Sequence, residues 1–270
     1  MCIAPVPIKN PAKFFKKETA MIDVPCGSCI ECRQSRTHSW YIRLYEELKT
    51  ATSADFITLT YDSNNLPIIE DTGEVSLNYE DLQRFWKRLR SYTPKDHIRK
   101  IKYYACGEYG TKTGRPHYHA IVFNNPDKNA YERAWAQGLT HVGEANSATI
   151  YYTLKYVVKR LGKIRKSDHS KVLERGLMSK NLGIDFINNE SKKYYKEHLT
   201  AGYVLPGGVT YPLPKYYVQK IFTESERKAR ASLLEIENLD RLYKRQMDPL
   251  RKQRAQYKEM ESERKNYETD

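Results

Sequence analysis

Hydrophobic positions in the first half of the chain alternate between helical and extended spacing. Trp40, Leu44 and Leu48 recur every four residues among arginines and glutamates, which predicts a helix from about residue 30 to 50. Asn78 can cap the amphipathic segment YEDLQRFWKRLRSY, so a second helix is expected directly after it. Further helices are predicted at about 127–137 and 147–162.

Extended segments lie between these helices. The run ADFITLTYD is rich in β-branched and aromatic residues, and its alternate positions divide into two faces. HIRKIKYYACGEYG and RPHYHAIVF are typical of two strands joined by a Gly- and Thr-rich turn at about 109–116. A short strand is expected near 139–143, and PIIEDTGEVSL predicts a hairpin that turns at Asp71, Thr72 and Gly73.

The order of these elements favours an α+β fold, in which an antiparallel sheet has its helices on one side. Residues 1–25 look irregular and Pro-rich. We expect four segments along the chain, namely an N-terminal Cys-containing segment with its helix (1–52), a core (53–165), a basic accessory region (166–222) and a charged helical tail (223–270).

Composition narrows the range of partners. The 270 residues include 46 Lys and Arg against 33 Asp and Glu, together with 22 tyrosines. Positive charge and many flat rings suit a polyanion with stacking bases, meaning nucleic acid, although a generic basic surface is the simpler alternative. The chain has no stretch of about 18 apolar residues and its N-terminus lacks the pattern of a signal peptide, so a cytoplasmic protein is expected.

A candidate metal site lies around the predicted turn. His117 and His119 are two apart on a strand, so both imidazoles leave the same face, and Glu108 lies opposite His117 if the hairpin forms. Two nitrogens and a carboxylate leave positions open for substrate, as a Mg²⁺ or Mn²⁺ phosphoryl-transfer site requires. Lys112 and Arg115 could contact phosphate. The alternative is two structural histidines on a half-buried strand and a strand-end carboxylate.

A candidate nucleophile follows in the segment YYTLKYVVKRLGK. On a helix Tyr152, Lys155, Tyr156 and Lys159 lie on one side, and cationic neighbours favour the phenolate form that a tyrosine nucleophile needs. Ordinary aromatic core packing is the alternative. Tyr151 is a weaker candidate, because its spacing to Tyr156 is five rather than four.

The cysteines are clustered rather than spread along the chain. Cys26, Cys29 and Cys32 are separated by two residues each, and Cys2 could supply a fourth thiol to a tetrahedral structural zinc site. Reduced thiols, with Cys32 packed under the first helix, are the alternative. The odd total of five cysteines argues against a secreted disulfide framework.

Taken in order, FITLTYD, GEYGTKTGRPHYHAIVF and YTLKYVVK resemble the motifs of the HUH superfamily of single-strand nucleases. With the N-terminal MC…P…KNP and PCGSCIECRQSR, residues 1–222 look like the replication initiators of gokushovirus-type microviruses. The resemblance implies a five-stranded antiparallel sheet that carries the metal ligands Glu108, His117 and His119 on its central strands. It also implies a YxxKY-type nucleophile segment matching Tyr152, Lys155 and Tyr156.

The function implied by this resemblance is rolling-circle replication of a single-stranded DNA phage. The enzyme would nick and rejoin single-stranded DNA at an origin through a 5′-phosphotyrosyl intermediate, in the cytoplasm of a bacterial host and together with its replication machinery. A plasmid initiator, relaxase or transposase is the nearest alternative within the superfamily. A non-catalytic protein that binds single-stranded nucleic acid is the alternative from another class.

Overall fold

The computed structural model of the chain describes residues 2–9, 21–159 and 171–247, with the helical backbone alone at 155–159 and 241–247. The helices are α1 (Ile30–Thr50), α2 (Tyr79–Ser91), α3 (Ala130–Ala134), α4 (Ser147–Lys159), α5 (Asn189–Glu197), α6 (Lys215–Ile221) and α7 (Glu224–Met247). The strands are β1 (Val6–Lys9), β2 (Met21–Val24), β3 (Ala54–Tyr61), β4 (Lys102–Tyr109), β5 (Pro116–Phe123), β6 (Gly138–Glu144), β7 (Gly176–Met178), β8 (Tyr203–Val204) and β9 (Thr210–Tyr211).

The chain divides into two compact units. The first consists of Met1–Phe186 and Leu205–Pro214, and the second consists of Ile187–Val204 and Lys215–Asp270. Within the described part of the chain, no helix is long and apolar enough to cross a membrane. The four-segment organisation expected from the sequence stays a prediction.

A five-stranded antiparallel sheet forms the centre of the first unit, in the order β6-β3-β5-β4-β7. This confirms the predicted α+β fold and the strand count. One strand differs in origin, because β7 comes from the segment expected to be accessory. The predicted hairpin at 67–77 forms its turn but contributes only an isolated bridge between Ile68 and Val75, since Gly73 and Thr72 already donate to the carbonyl of Ile69.

Helices cover both faces of the sheet, so the expectation of helices on one side is wrong. Residues of α2 and α3 pack with Ile57, Leu59 and Tyr118 on one face. On the other face, residues of α1 and α4 pack with Ile121 and Phe123. The physical reason is that β3 and β5 are apolar at both sets of alternate positions, and each set needs a helical layer to exclude water.

The predicted helices form with small differences in length. Asn78 caps α2 as expected, since its side chain accepts from the backbone N–H of Glu80 at 3.0 Å. α3 is shorter than the predicted 127–137 because Trp135 leaves the helical conformation, and its indole N–H donates to the carbonyl of Thr60 at 3.1 Å. The last predicted residues of the 147–162 helix, 160–162, lie outside the described residues.

Residues near the N-terminus are more regular than the sequence indicates. β1 pairs with β2 in antiparallel register, with Val6 opposite Val24 and Lys9 opposite Met21. The sequence contains little signal for this pairing, since the two strands are short, contain Pro7 and are largely exposed. Residues 10–20 between them lie outside the described part.

The second unit is helical in its larger part. Asn188 and Ser191 form a capping box at the start of α5, and Lys196 of α5 pairs with Glu226 of α7 at 3.2 Å. Arg230 of α7 is 5% exposed and donates to the carbonyl oxygens of Leu199 and Ala201. The helical prediction for the tail is confirmed as far as Met247, and residues 248–270 lie outside the described range.

Gly138 begins β6 in a conformation that requires glycine. Its φ is +150°, and a Cβ would overlap the backbone nitrogen of Asp62 and the carbonyl oxygen of Thr60. Gly143, on the same strand, would meet its nearest atoms at 3.8 and 3.9 Å, which is ordinary contact.

We therefore expect Gly138→Ala to lower the free energy of unfolding by on the order of 3 kcal/mol, because strain and steric overlap both act on it. The matched change Gly143→Ala should alter it by no more than about 0.5 kcal/mol. Denaturant unfolding of both variants measures the difference. Equal effects would contradict the assignment of Gly138 as a strained position.

Candidate active site

Pairing between the central strands brings together the polar residues predicted from the sequence. β4 and β5 align Glu108 with His117 and Cys106 with His119, as the predicted hairpin requires. On the other side of β5, Thr58 of β3 aligns with His119. These side chains therefore share the face of the sheet that α1 and α4 cover.

Three possible metal-ligand atoms converge on this face. Oε2 of Glu108 lies 3.3 Å from Nε2 of His117 and 3.3 Å from Nε2 of His119. One ligand atom from each residue lies within 4.8 Å of the other two. Glu108 and His119 are each 7% exposed, so the group is shielded from bulk water.

The second nitrogen of each imidazole contacts a neighbouring group. Nδ1 of His117 is 3.2 Å from the carbonyl oxygen of Arg115, and Nδ1 of His119 is 3.0 Å from Oγ1 of Thr58. A histidine that donates through Nδ1 presents the lone pair of Nε2, which is the usual arrangement of a metal ligand. The donor set of two imidazoles and a carboxylate fits a divalent cation.

His117 is held in an electrostatic environment that favours its charged form. Burial lowers the pKa of the imidazole, but hydrogen bonds to Glu108 and to the carbonyl of Arg115, together with the charge of Glu108, outweigh it and raise the pKa above its ordinary value. The surroundings of His117 therefore attract positive charge.

Tyr152 lies at the edge of this group. Its ring centroid is 5.4 Å from that of His119 and 6.0 Å from that of Phe56, with edge-to-face geometry in both pairs. Phe56 also stacks on His119 at 5.6 Å. The side chain of Tyr152 remains 37% exposed, so an external molecule can reach it.

α4 is attached to the sheet beside the histidines. Ile150 and Leu154 are fully buried and pack in the core on this face. The thiol of Cys106 donates to the carbonyl oxygen of Thr153 at 3.6 Å, which links β4 to the residue that follows Tyr152. Burial raises the pKa of this thiol, so it remains protonated and able to donate.

The neighbouring Tyr151 lies in different surroundings. It is 58% exposed and lines a cavity with His38, Tyr41 and Tyr211, away from the Glu108 group. This agrees with its lower rank in the sequence analysis. The predicted residues Lys155, Tyr156 and Lys159 belong to α4, and their side chains lie outside the described residues.

Two predicted phosphate contacts lie in the turn between β4 and β5. Lys112 is exposed there. The guanidinium of Arg115 donates to the carbonyl oxygen of Tyr61 through Nε at 3.1 Å and Nη2 at 2.8 Å, which fastens the turn to the end of β3. Contact of either residue with phosphate stays a prediction.

Two residues of this site have no assigned chemistry in the sequence analysis. Thr58 belongs to FITLTYD, for which only DNA contact or a supporting role is expected, and Cys106 is considered only as an odd cysteine. Both could have been found from the pairing register, because Thr58 and Cys106 are the two cross-strand neighbours of His119. That register is not visible in one strand alone.

The cysteine group lies apart in the sequence from these residues. Cys2, Cys26, Cys29 and Cys32 are half-buried, and their sulfur atoms lie within 4.8 Å of one another. Cys106 is buried in the sheet and is separate from them. The convergence of four thiols agrees with the spacing argument, while metal binding at this position is not tested by geometry alone.

Comparison with known proteins gives consistent results. A family model for the replication-associated protein ORF2 matches residues 54–161. The chain is 30% identical to the replication-associated protein ORF2 of Spiroplasma virus 4 over 219 residues, which cover 74% of this chain and 68% of that protein. It is 31% identical to the replication-associated protein VP4 of Bdellovibrio phage phiMH2K over 229 residues, 76% of this chain and 70% of that protein.

A third relative extends the same group. The replication-associated protein ORF4 of Chlamydia phage 1 is 28% identical over 218 residues, which cover 72% of this chain and 52% of that protein. No solved structure matches the chain. The matched family segment contains all three residues of the Glu108, His117 and His119 group as well as Tyr152. The chain therefore belongs to the family of phage replication-associated proteins.

Proposed function

We propose that this protein starts and ends rolling-circle replication by nicking and rejoining single-stranded DNA at a phage origin. The observation that carries the proposal is the placement of the exposed phenol of Tyr152 against His119, within a group of two imidazoles and a carboxylate. The names of the relatives support a role in replication, and their phage origin favours a viral initiator over a relaxase or transposase.

Glu108, His117 and His119 would hold a divalent cation, for which Mg²⁺ or Mn²⁺ suits phosphoryl transfer. When bound, such an ion supplies Lewis acidity that polarises a phosphoryl oxygen. Oxygen-preferring Mg²⁺ and the more nitrogen-tolerant Mn²⁺ would be held differently by a set with two imidazoles, and the donor chemistry favours Mn²⁺.

The reaction assigned to Tyr152 is a transesterification. Its phenolic oxygen attacks phosphorus, the bond from phosphorus to the 3′ oxygen breaks, and the released oxygen takes up a proton to become a 3′-hydroxyl. Because Tyr152 is 37% exposed, its own proton can pass to solvent. The 5′-phosphotyrosyl ester conserves the bond energy, so attack by a 3′-hydroxyl reverses the step and seals the strand.

A second tyrosine would let the enzyme complete a replication cycle. α4 is helical through Lys159, and positions 152 and 156 are four apart along it. We assign Tyr156 to the second cleavage, which cuts the regenerated origin while the first ester persists. Lys155 would favour the phenolate form, and Lys112, Arg115 and Lys159 would contact the phosphate backbone.

Replacing the nucleophile tests the proposal directly. Tyr152→Phe should lose the covalent protein–DNA adduct formed with labelled single-stranded origin DNA and Mn²⁺, because phenylalanine retains the ring but has no attacking oxygen. Denaturing gel electrophoresis and mass spectrometry of the modified peptide measure the adduct.

The matched control is Tyr151→Phe, which makes the same change one residue away and should keep the adduct. If Tyr156 acts first, the Tyr152→Phe adduct will map to Tyr156, and the assigned order fails. Adduct formation by the Tyr152→Phe, Tyr156→Phe double variant would refute the tyrosine mechanism, and DNA binding without any wild-type adduct would indicate a non-catalytic binding protein.

Removing a proposed metal ligand should separate cleavage from binding. His119→Ala is expected to slow cleavage by at least about a hundredfold, because the ion contributes several kcal/mol to stabilising the transition state. DNA affinity should change little, since it depends on phosphate contacts and counterion release. Single-turnover cleavage and fluorescence anisotropy measure the two quantities.

His198→Ala, an exposed histidine of the second unit, is the control and should leave both quantities unchanged. Cleavage by His119→Ala at the wild-type rate would contradict the metal assignment.

Thr58 has a positioning role in this proposal. Thr58→Val removes the hydroxyl that contacts Nδ1 of His119, and loss of such a partner weakens metal affinity by about 10- to 100-fold. Calorimetric titration with Mn²⁺ measures the affinity. Thr60→Val, two residues along the same face of β3, is the matched control, and equal affinities for the two variants would show that the contact does not position His119.

A further inference from the structure

The cysteine group has a geometry that the proposed nuclease activity does not explain. Cys2 lies before β1, Cys26 and Cys29 lie between β2 and α1, and Cys32 lies in the first turn of α1. These positions are separated by up to thirty residues, yet their four sulfur atoms lie within 4.8 Å of one another. The chain therefore returns to its N-terminal segment at the start of α1.

The separation of the sulfur atoms is that of ligands around one ion. Sγ of Cys29 is 3.8 Å from Sγ of Cys2. Four thiolates at about 2.3 Å from a tetrahedral zinc ion lie roughly 3.8 Å apart from one another, whereas a disulfide brings two sulfurs to about 2.05 Å. All four cysteines are free thiols here, which leaves each sulfur available as a ligand.

Backbone N–H groups donate to two of the sulfurs. Sγ of Cys26 accepts from the backbone nitrogens of Ser28 at 3.4 Å and Cys29 at 3.2 Å. Sγ of Cys2 accepts from the backbone nitrogen of Cys26 at 3.3 Å. Hydrogen bonds to sulfur favour the thiolate over the thiol, and the thiolate is the form that binds metal.

The start of α1 has a related requirement. Cys29 occupies the N-cap position, and no side-chain hydrogen bond caps the helix there. The first turn of a helix carries partial positive charge, which favours a negatively charged group beside it. Thiolates at Cys29 and Cys32 would meet this need, and a bound cation would hold them in place.

We propose that Cys2, Cys26, Cys29 and Cys32 form a structural zinc site that fastens the N-terminal β1–β2 pair to the start of α1. Four sulfur ligands close a tetrahedral shell and leave no position for substrate, so the site is structural rather than catalytic. Thiolates select zinc over Mg²⁺ or Mn²⁺, which prefer oxygen ligands. The protein would thus use two chemically different metal sites.

The proposed zinc has a clear structural task. β1 and β2 are mostly exposed and form a separate two-stranded sheet, and an isolated pair of strands is marginally stable in water. α1 packs against α4, the helix that carries Tyr152. Fixing the N-terminal strands to α1 orders them against a helix already anchored in the core.

Metal analysis of the full chain tests the proposal. The background is the His117→Ala, His119→Ala double variant, which removes the other candidate site, purified with reduced thiols and dialysed against zinc-free buffer after loading. We expect about one retained zinc ion per chain, as for a closed structural site. Cys29→Ser in this background should lose the ion, whereas the matched change Cys106→Ser, which alters the one cysteine outside the group, should keep it.

Cobalt substitution gives a readout that does not depend on how well the cysteine variants fold. Co²⁺ added to the same double variant should produce the thiolate-to-metal charge-transfer and intense visible bands of a tetrahedral sulfur site, and zinc should displace them. Zinc should also protect these four thiols from alkylation, as mapped by mass spectrometry.

Absence of retained zinc, an octahedral cobalt spectrum or unprotected thiols would each overturn the proposal and leave a group of reduced cysteines. None of these measurements involves DNA cleavage, so failure of the proposed nuclease function would not alter their result.

Discussion

The register in which β5 pairs with both of its neighbours is the constraint on which the candidate active site depends. It places His117 opposite Glu108 and His119 between Thr58 and Cys106. Because side chains alternate along a strand, a slip of one residue would turn both imidazoles toward α2 and α3 and bring Tyr118 to their place. Glu108, Thr58 and α4 would then face the wrong residues.

Burial on both faces of the sheet protects this register. Tyr118 is fully buried on the opposite face, where its hydroxyl accepts from the backbone N–H of Asn78 and donates to the carbonyl of the same residue. A slipped strand would lose these bonds and expose apolar surface on one face while burying imidazoles on the other. The residues on the α2 side therefore help to specify the position of the histidines.

Local sequence signals predict part of this arrangement and non-local ones do not. The Glu108–His117 pair follows from a hairpin with a short Gly-rich turn, so it can be found within one segment. The contact of Thr58 with His119 depends on pairing between strands about sixty residues apart, for which the sequence contains no register signal. β7 is only three residues long, and the second helical layer follows from strands that are apolar at both sets of positions, a pattern that periodicity reads ambiguously.

The bond from the Cys106 thiol to the carbonyl of Thr153 has a consequence for the shape of the DNA. It couples the helix that bears the phenol to the strand beside the imidazoles, so these reactive groups sit on a rigid frame with little freedom to adjust to an incoming backbone. The nucleic acid must then supply the bending itself. Duplex DNA is stiff over about 150 base pairs, whereas an unpaired strand rotates freely at each nucleotide and can fold its phosphate into the frame.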